Sequence, residues 1–255
     1  MSLRRKAAEA LELRDDNCYT IYVMQGRFIV IDGTDGSGKA TQTELLVARL
    51  KREGLPVETI AFPKYGDKSA GALEEYLNGK YGGASEVTGY QASVLFAVDR
   101  FDGAPQIRAW LAEGTYVIAD RYVGSNMGHQ GSKISDPEER TAFFQWDMQF
   151  EHELMGIPKP DINIVLHVPA EVSMNLMKDR ELKSHLEKDI HEEDLEHLRA
   201  AERAYIDMTN QFDTFVRIEC VENGELLSRE LIHKRIWNTI TTFLPPSKQS
   251  PRPTP

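Results

Sequence analysis

Cysteine is scarce in this 255-residue sequence, and basic charge and long apolar runs are in short supply too. The two cysteines, Cys18 and Cys220, lie far apart, in no Cys-x-x-Cys pair and beside no histidine set. That excludes a disulfide framework or a zinc site and fits two reduced thiols in a cytoplasmic protein. No apolar run approaches the ~18 residues of a membrane-spanning helix. No secretory-type apolar region follows Met1, so neither a membrane location nor export is expected. Lys and Arg number 30 against 40 Asp and Glu, a formal net charge of −10. That balance excludes a broad basic surface for nucleic acid but leaves room for a local basic pocket that takes small anions. The histidines, at 129, 152, 167, 185, 191, 197 and 233, are scattered, and His191 and His197 do not share a helix face. No metal site of histidines and no catalytic histidine is expected. Internal repeats are absent.

What is present is an alternation. The length suits one α/β domain with a good core and is short for two. Runs rich in β-branched and aromatic residues at 28–32, 57–62, 116–120, 162–168 and 214–221 read as strands. Helical patterns fill the gaps at 39–53, 69–77, 86–100, 105–113, 137–155, 171–180, 192–210 and 225–243. The strands are continuously apolar, as strands covered on both faces are. The expected fold is α/β: a three-layer α/β/α domain with a mostly parallel five-stranded sheet, binding ligands outside the carboxyl ends of its strands. Residues 1–25 stand apart as an N-terminal extension, 26–244 make the domain, and the proline-rich 245–255 read as a disordered tail.

The segment Gly33-Thr34-Asp35-Gly36-Ser37-Gly38-Lys39-Ala40-Thr41 sits between the first strand and the first helix. It matches G-x-x-x-x-G-K in the context where a phosphate-binding loop works. Glycines let backbone N–H groups point inward at phosphate oxygens, the helix start adds its positive end, and Lys39 supplies a point charge. One position departs: Ala40 stands where a Ser or Thr would offer Mg²⁺ an oxygen, and Thr41 lies one residue further round the helix. Carboxylates would then share the cation with phosphates and water, with Asp32, Asp35 and Asp120 as candidates.

Four further stretches carry chemistry. Ala119-Asp120-Arg121-Tyr122 closes a buried strand, where Asp120 would orient Mg²⁺ and Arg121 would grip a phosphate; a plain Asp–Arg strand end is the alternative. Phe96 and Arg100 are four apart on a helical pattern and so share a face. They suit a nucleobase clamp, or a core ring and a solvated helix end. Phe62-Pro63-Lys64-Tyr65 puts a cation and aromatics at a strand end. The charged segment 178–189 suits a lid over phosphates, with Arg180, Lys183 and Lys188 as neutralising cations, or a solvated helix.

Taken in order, these motifs resemble the thymidylate kinase family. The resemblance rests on the phosphate loop with Asp35, Phe62-Pro63, Leu95-Phe96-Ala97-Val98-Asp99-Arg100, Asp120-Arg121-Tyr122 with Ser125-Asn126 and Gln130-Gly131, and Pro158-Lys159-Pro160-Asp161. It implies a P-loop nucleoside-monophosphate kinase with a doubly wound core and a lid at about 178–191. The implied reaction transfers the ATP γ-phosphate to dTMP, with Mg²⁺, to give dTDP. By the family's roles, Lys39 and the loop from Gly33 to Thr41 hold ATP, and Asp35 meets the acceptor's 3′-hydroxyl. Phe96 stacks on thymine, Arg100 reaches its O4, Arg121 holds the acceptor phosphate and Gln130 touches the base edge. Phe62, Lys64, Ser125 and His129 complete the acceptor site, Arg180 serves as the lid cation, and Asp120 with Asp35 holds Mg²⁺. Members are usually homodimers, for which 86–100 and 137–155 are candidate faces.

The departures are Tyr65 where many members have arginine, His129 where many have tyrosine, Ala40, and Ile190 in place of a lid arginine. They leave open a kinase for another nucleotide or a deoxynucleoside, a nucleotide-binding regulatory protein with little catalysis, or a plain NTPase.

Overall fold

The computed structural model describes residues 26–83, 86–184 and 195–244. The N-terminal extension, the proline-rich tail, 185–191 of the expected lid and 192–194 at the start of the next expected helix lie outside the described residues. Five strands, β1 (Arg27–Gly33), β2 (Val57–Ala61), β3 (Tyr116–Asp120), β4 (Ile162–His167) and β5 (Phe215–Glu219), form one sheet in the order β2-β3-β1-β4-β5. Every pairing is parallel.

The alternation of side chains along the central strand divides the core. Phe28 and Val30 face one layer with Val117, Ala119 and Val165, while Ile29 and Ile31 face the other with Ile118 and Ile164. Helices α1 (Lys39–Arg52) and α8 (Arg229–Ile240) cover the second face through Leu46, Leu50, Ile232, Ile236 and Ile240. The first face carries α3 (Gly89–Ala112), α4 (Val123–Gly131), α5 (Pro137–Met148) and α7 (Leu195–Gln211), through Ala97, Ile107, Met127, Phe143, Phe144, Ala204 and Met208. From β1 the chain crosses to β2 at one edge, returns to β3 beside β1 and then passes to β4 on the other side of β1, so a crevice opens beyond the carboxyl end of β1.

Several boundaries differ from the sequence reading, each for a physical reason. The helix expected from 86 begins at Gly89, because Thr88 and Gln91 close a capping box there. It does not stop before Pro105 but runs through it to Ala112, held by the buried Gly103, Ala104 and Ile107 against the sheet. The helix expected over 137–155 ends its α-helical part at Met148 and continues as a wider π turn over Gln149–Leu154. Asn223 and Gly224, both with positive φ, turn a small hairpin of β6 (Val221–Glu222) and β7 (Glu225–Leu226), so the helix expected from 225 begins only at Arg229. The expected lid instead starts as helix, since α6 (Ala170–Ser184) extends past 178. A short helix, α2 (Gly71–Leu77), precedes α3.

Candidate active site

Gly36 and Gly38 adopt φ of 77° and 86°, a left-handed conformation that a Cβ would strain, and Gly38 caps α1. The loop thereby folds back on Lys39. The lysine's Nζ donates to the carbonyl oxygens of Gly33 at 3.0 Å and Thr34 at 2.9 Å, and stands 3.8 Å from Asp35 Oδ1. Burial, helped by the Arg121 charge, pulls the Lys39 ammonium down to about 8, while Asp35, Asp120 and Asp32 offset part of that pull. The hydroxyls of Thr34 and Ser37 are buried without a partner among the described residues. Ala40 is exposed and Thr41 half-buried.

Arg121, just past β3, holds a positive φ of 64°, a strained backbone for a non-glycine residue. That bend aims its guanidinium back across the crevice. Nη2 pairs with Asp35, and Nη1 stands 3.3 Å from His129 Nε2. Since arginine only donates, His129 accepts at Nε2 and carries its proton on Nδ1. Burial raises the cost of charge on all three groups, with unequal results. Asp35 is held well below the usual carboxylate range by Arg121 and Lys39, and Arg121 is held charged by Asp35. His129 is pushed down to about 3, mainly by burial. This end of the crevice is therefore two cations leaning on one carboxylate, beside a neutral imidazole.

Asp32, fully buried at the end of β1, accepts from Ser125 Oγ at 2.5 Å and from the Tyr122 amide at 3.3 Å. Burial pushes its carboxyl up. Its Oδ2, and Oδ1 of Asp120, are buried with no partner among the described residues. Two such hard oxygens near Lys39 are the donor chemistry that a divalent cation such as Mg²⁺ prefers. Asp35, by contrast, is already engaged by Arg121.

A cavity of about 680 Å³, measured out to its open mouth, extends from Asp35 and Arg121 to Phe62, Phe96, Arg100, Ser125, His129 and Gln130. Phe62 packs on Tyr122 with ring centroids 5.6 Å apart, and Phe96 meets Tyr76 edge-on at 6.3 Å. Gln130 is buried, and its Oε1 has no partner among the described residues. Lys64 is not part of this lining. Its Nζ is taken by Asp102 at 2.5 Å and Asp67 at 3.3 Å, while its backbone amide donates to Asp99. Asp99 also accepts from Ser69 and so ties the loop after β2 to α3. Arg180 lies on α6, with its side chain outside the described part.

Tyr65, read from the sequence as a strand-end aromatic near the site, lines the cavity, as do Pro63, Leu77 and Asn126, to which the sequence reading gave no site role. That reading also missed the buried acids Asp147 and Glu151 behind Arg100. A pair of acids four apart, Asp147 and Glu151, beside the aromatics Phe143, Phe144 and Trp146 was the available signal.

This geometry has relatives. A family model described as thymidylate kinase matches residues 31–231. The thymidylate kinase of Mycobacterium tuberculosis is 36% identical over 147 residues, covering 57% of this chain and 67% of that one. The human thymidylate kinase is 30% identical over 144 residues, 56% of this chain and 62% of that one. The solved thymidylate kinase of Candida albicans superposes with a TM-score of 0.66 over 86% of this chain and 92% of its own; at 21% identity it speaks for the fold alone. With a matching model that spans the phosphate loop, the Arg121 crevice and the cavity beyond, the chain belongs to the thymidylate kinase family.

Proposed function

We propose that the protein transfers the γ-phosphate of ATP to dTMP, giving dTDP and ADP. The observation that supports this reading is one crevice with Asp35 of the glycine loop and Arg121 at one end and Phe62, Phe96 and Arg100 at the other. Lys39 and the loop amides hold the donor phosphates. Arg121 forks onto the acceptor phosphate, and Asp35, released from Arg121 as substrate enters, meets the 3′-hydroxyl. Phe96 stacks on the base, Arg100 reaches its carbonyl, and Phe62, Ser125, His129 and Gln130 close the walls. An acceptor phosphate oxygen forms the new bond to Pγ as the bond from Pγ to the β,γ-bridging oxygen breaks, and ADP leaves with that electron pair. An ionised phosphate is already a nucleophile, so no general base is required, which suits a site whose histidine stays neutral.

Asp120, with Asp32 or Asp35, is the set that would hold Mg²⁺; the cation when bound neutralises charge on the β- and γ-phosphates. Ala40 contributes no oxygen to it. Arg180 and the segment up to 191 are proposed to close over the phosphates, in the cytoplasm. A homodimer is proposed through α3, where Tyr90, Val94, Val98 and Phe101 form a stripe 42%, 41%, 44% and 52% exposed, more apolar surface in one line than a solitary helix face leaves bare.

The test is coupled ADP release with ATP and a panel of dTMP, dUMP, UMP, CMP and thymidine. Turnover highest with dTMP is expected. ADP release indifferent to the acceptor would mean an NTPase; preference for another acceptor would reassign the substrate; binding without release would mean a regulatory protein. Within a dTMP-active enzyme, Arg100→Ala raises the dTMP KM, and an unchanged KM rejects the base contact.

A further inference from the structure

The cavity's back wall contains more acid than the reaction needs. Arg100 is 2% exposed, and behind it Glu151 is 0% exposed. The two meet fork to fork, Nε to Oε2 and Nη2 to Oε1, each at 2.6 Å. The third nitrogen, Nη1, is left with a long 3.4 Å approach to the Tyr122 carbonyl. Glu151 is itself held: Asn126 Nδ2 donates to it at 3.2 Å and to Asp147 at 3.1 Å. Burial, with the Glu151 charge beside it, pushes the Asp147 carboxyl well above its usual range. Glu151 lies in the π turn over Gln149–Leu154, the widened stretch that buries Glu151 and His152 while leaving Leu154 on the surface. Such turns are frequent at functional sites.

We propose that Glu151 is a positioning residue that locks Arg100 so that the N–H groups of Nη1 and the second N–H of Nη2 are what remain for the acceptor base, making the pocket select a base carbonyl and reject an exocyclic amine. An arginine only donates. A guanidinium free to rotate can turn aside from an amino group, whereas one clamped at two nitrogens cannot. The base that fits is therefore a thymine or uracil type, and cytosine puts donor against donor. This inference rests on the reading of the cavity as the acceptor-nucleotide site.

Glu151→Gln tests it. The amide keeps the volume but turns one of two acceptors into a donor, so one N–H of Arg100 faces an N–H. The expected result is a dTMP KM raised at least tenfold with kcat within threefold, and a dTMP over dCMP preference in kcat/KM reduced at least tenfold. A merely structural role would lower kcat and thermal stability without altering the preference, and that outcome overturns the proposal. Wild-type turnover on dTMP with KM within twofold in the variant overturns this inference alone; absence of wild-type dTMP turnover removes the site reading with it. Should the variant not fold, by circular dichroism, the wild-type protein decides. With ¹⁵N-labelled arginine, the Arg100 Nε–H resonance (identified by its absence from Arg100→Lys) is expected to stay protected from solvent exchange both free and with dTMP. Its loss on dTMP binding would show that the clamp opens for substrate and would refute the proposal.

Discussion

Lys39→Met is expected to make the free protein more stable while abolishing turnover. The lysine is 7% exposed, and burial together with Arg121 pulls its ammonium from 10.5 to about 8. At about 1.4 kcal/mol per tenfold in proton affinity, the charged form costs the fold roughly 3 kcal/mol. Methionine removes that cost at similar volume. It also strips the Gly33 and Thr34 carbonyls of their donor, a loss of about 1 kcal/mol each. The net gain is about 1 kcal/mol, or about 2–4 °C in Tm for a domain of this size. The sign changes with pH. Because the folded-state value lies below the unfolded one, the penalty is complete below pH 8 and fades as pH rises toward 10.5, where both states carry a neutral amine. Urea unfolding at pH 7, 9 and 10.5 at fixed ionic strength is the assay. The variant should lead at pH 7 and lose its lead by pH 10.5. A variant less stable at pH 7, a pH-independent difference, or residual turnover above roughly a tenth of wild type would refute the reasoning.

Other outcomes follow from single contacts. Gly128→Ala places a Cβ 2.4 Å from the ring of the buried Tyr205, so a loss of about 1–3 kcal/mol in urea unfolding is expected; an unchanged midpoint would mean that α4 and α7 shift freely. His129, pushed down to about 3 by burial, should show no imidazole titration by NMR between pH 5 and 8; a transition near 6.5 would contradict the neutral ring opposite Arg121. Val98→Glu puts a charge in the middle of the exposed α3 stripe, and sedimentation should report monomers where the wild type gives dimers; an unaltered dimer would move the interface elsewhere.

The sheet was legible in the sequence because its strands are buried on both faces and read as unbroken apolar runs. The glycine turn between β1 and α1 was legible because spacing and context agreed. Helix α4 was not, since Val123–Gly131 contains three glycines, a serine and an asparagine, all poor helix formers. Tertiary crowding explains them: a Cβ at Gly124 would strike Asp32, at Gly128 Tyr205, and at Gly131 Phe144. Lys64 looked like a substrate cation because the acids that take its ammonium, Asp67 and Asp102, are ordinary surface residues in one dimension. Glu151 offered only its spacing of four from Asp147 as a signal, and no local pattern announces the π turn in which it is buried.

Helix α3 holds Phe96 and Arg100 on the side facing the cavity, and Tyr90, Val94, Val98 and Phe101 on the side facing away. A stiff rod with two working edges has no independent adjustment: whatever seats against its outer edge sets the depth at which the inner edge projects. With the proposed dimer on one edge and the proposed acceptor site on the other, a substitution on either edge of these two dozen residues is expected to be felt at the other.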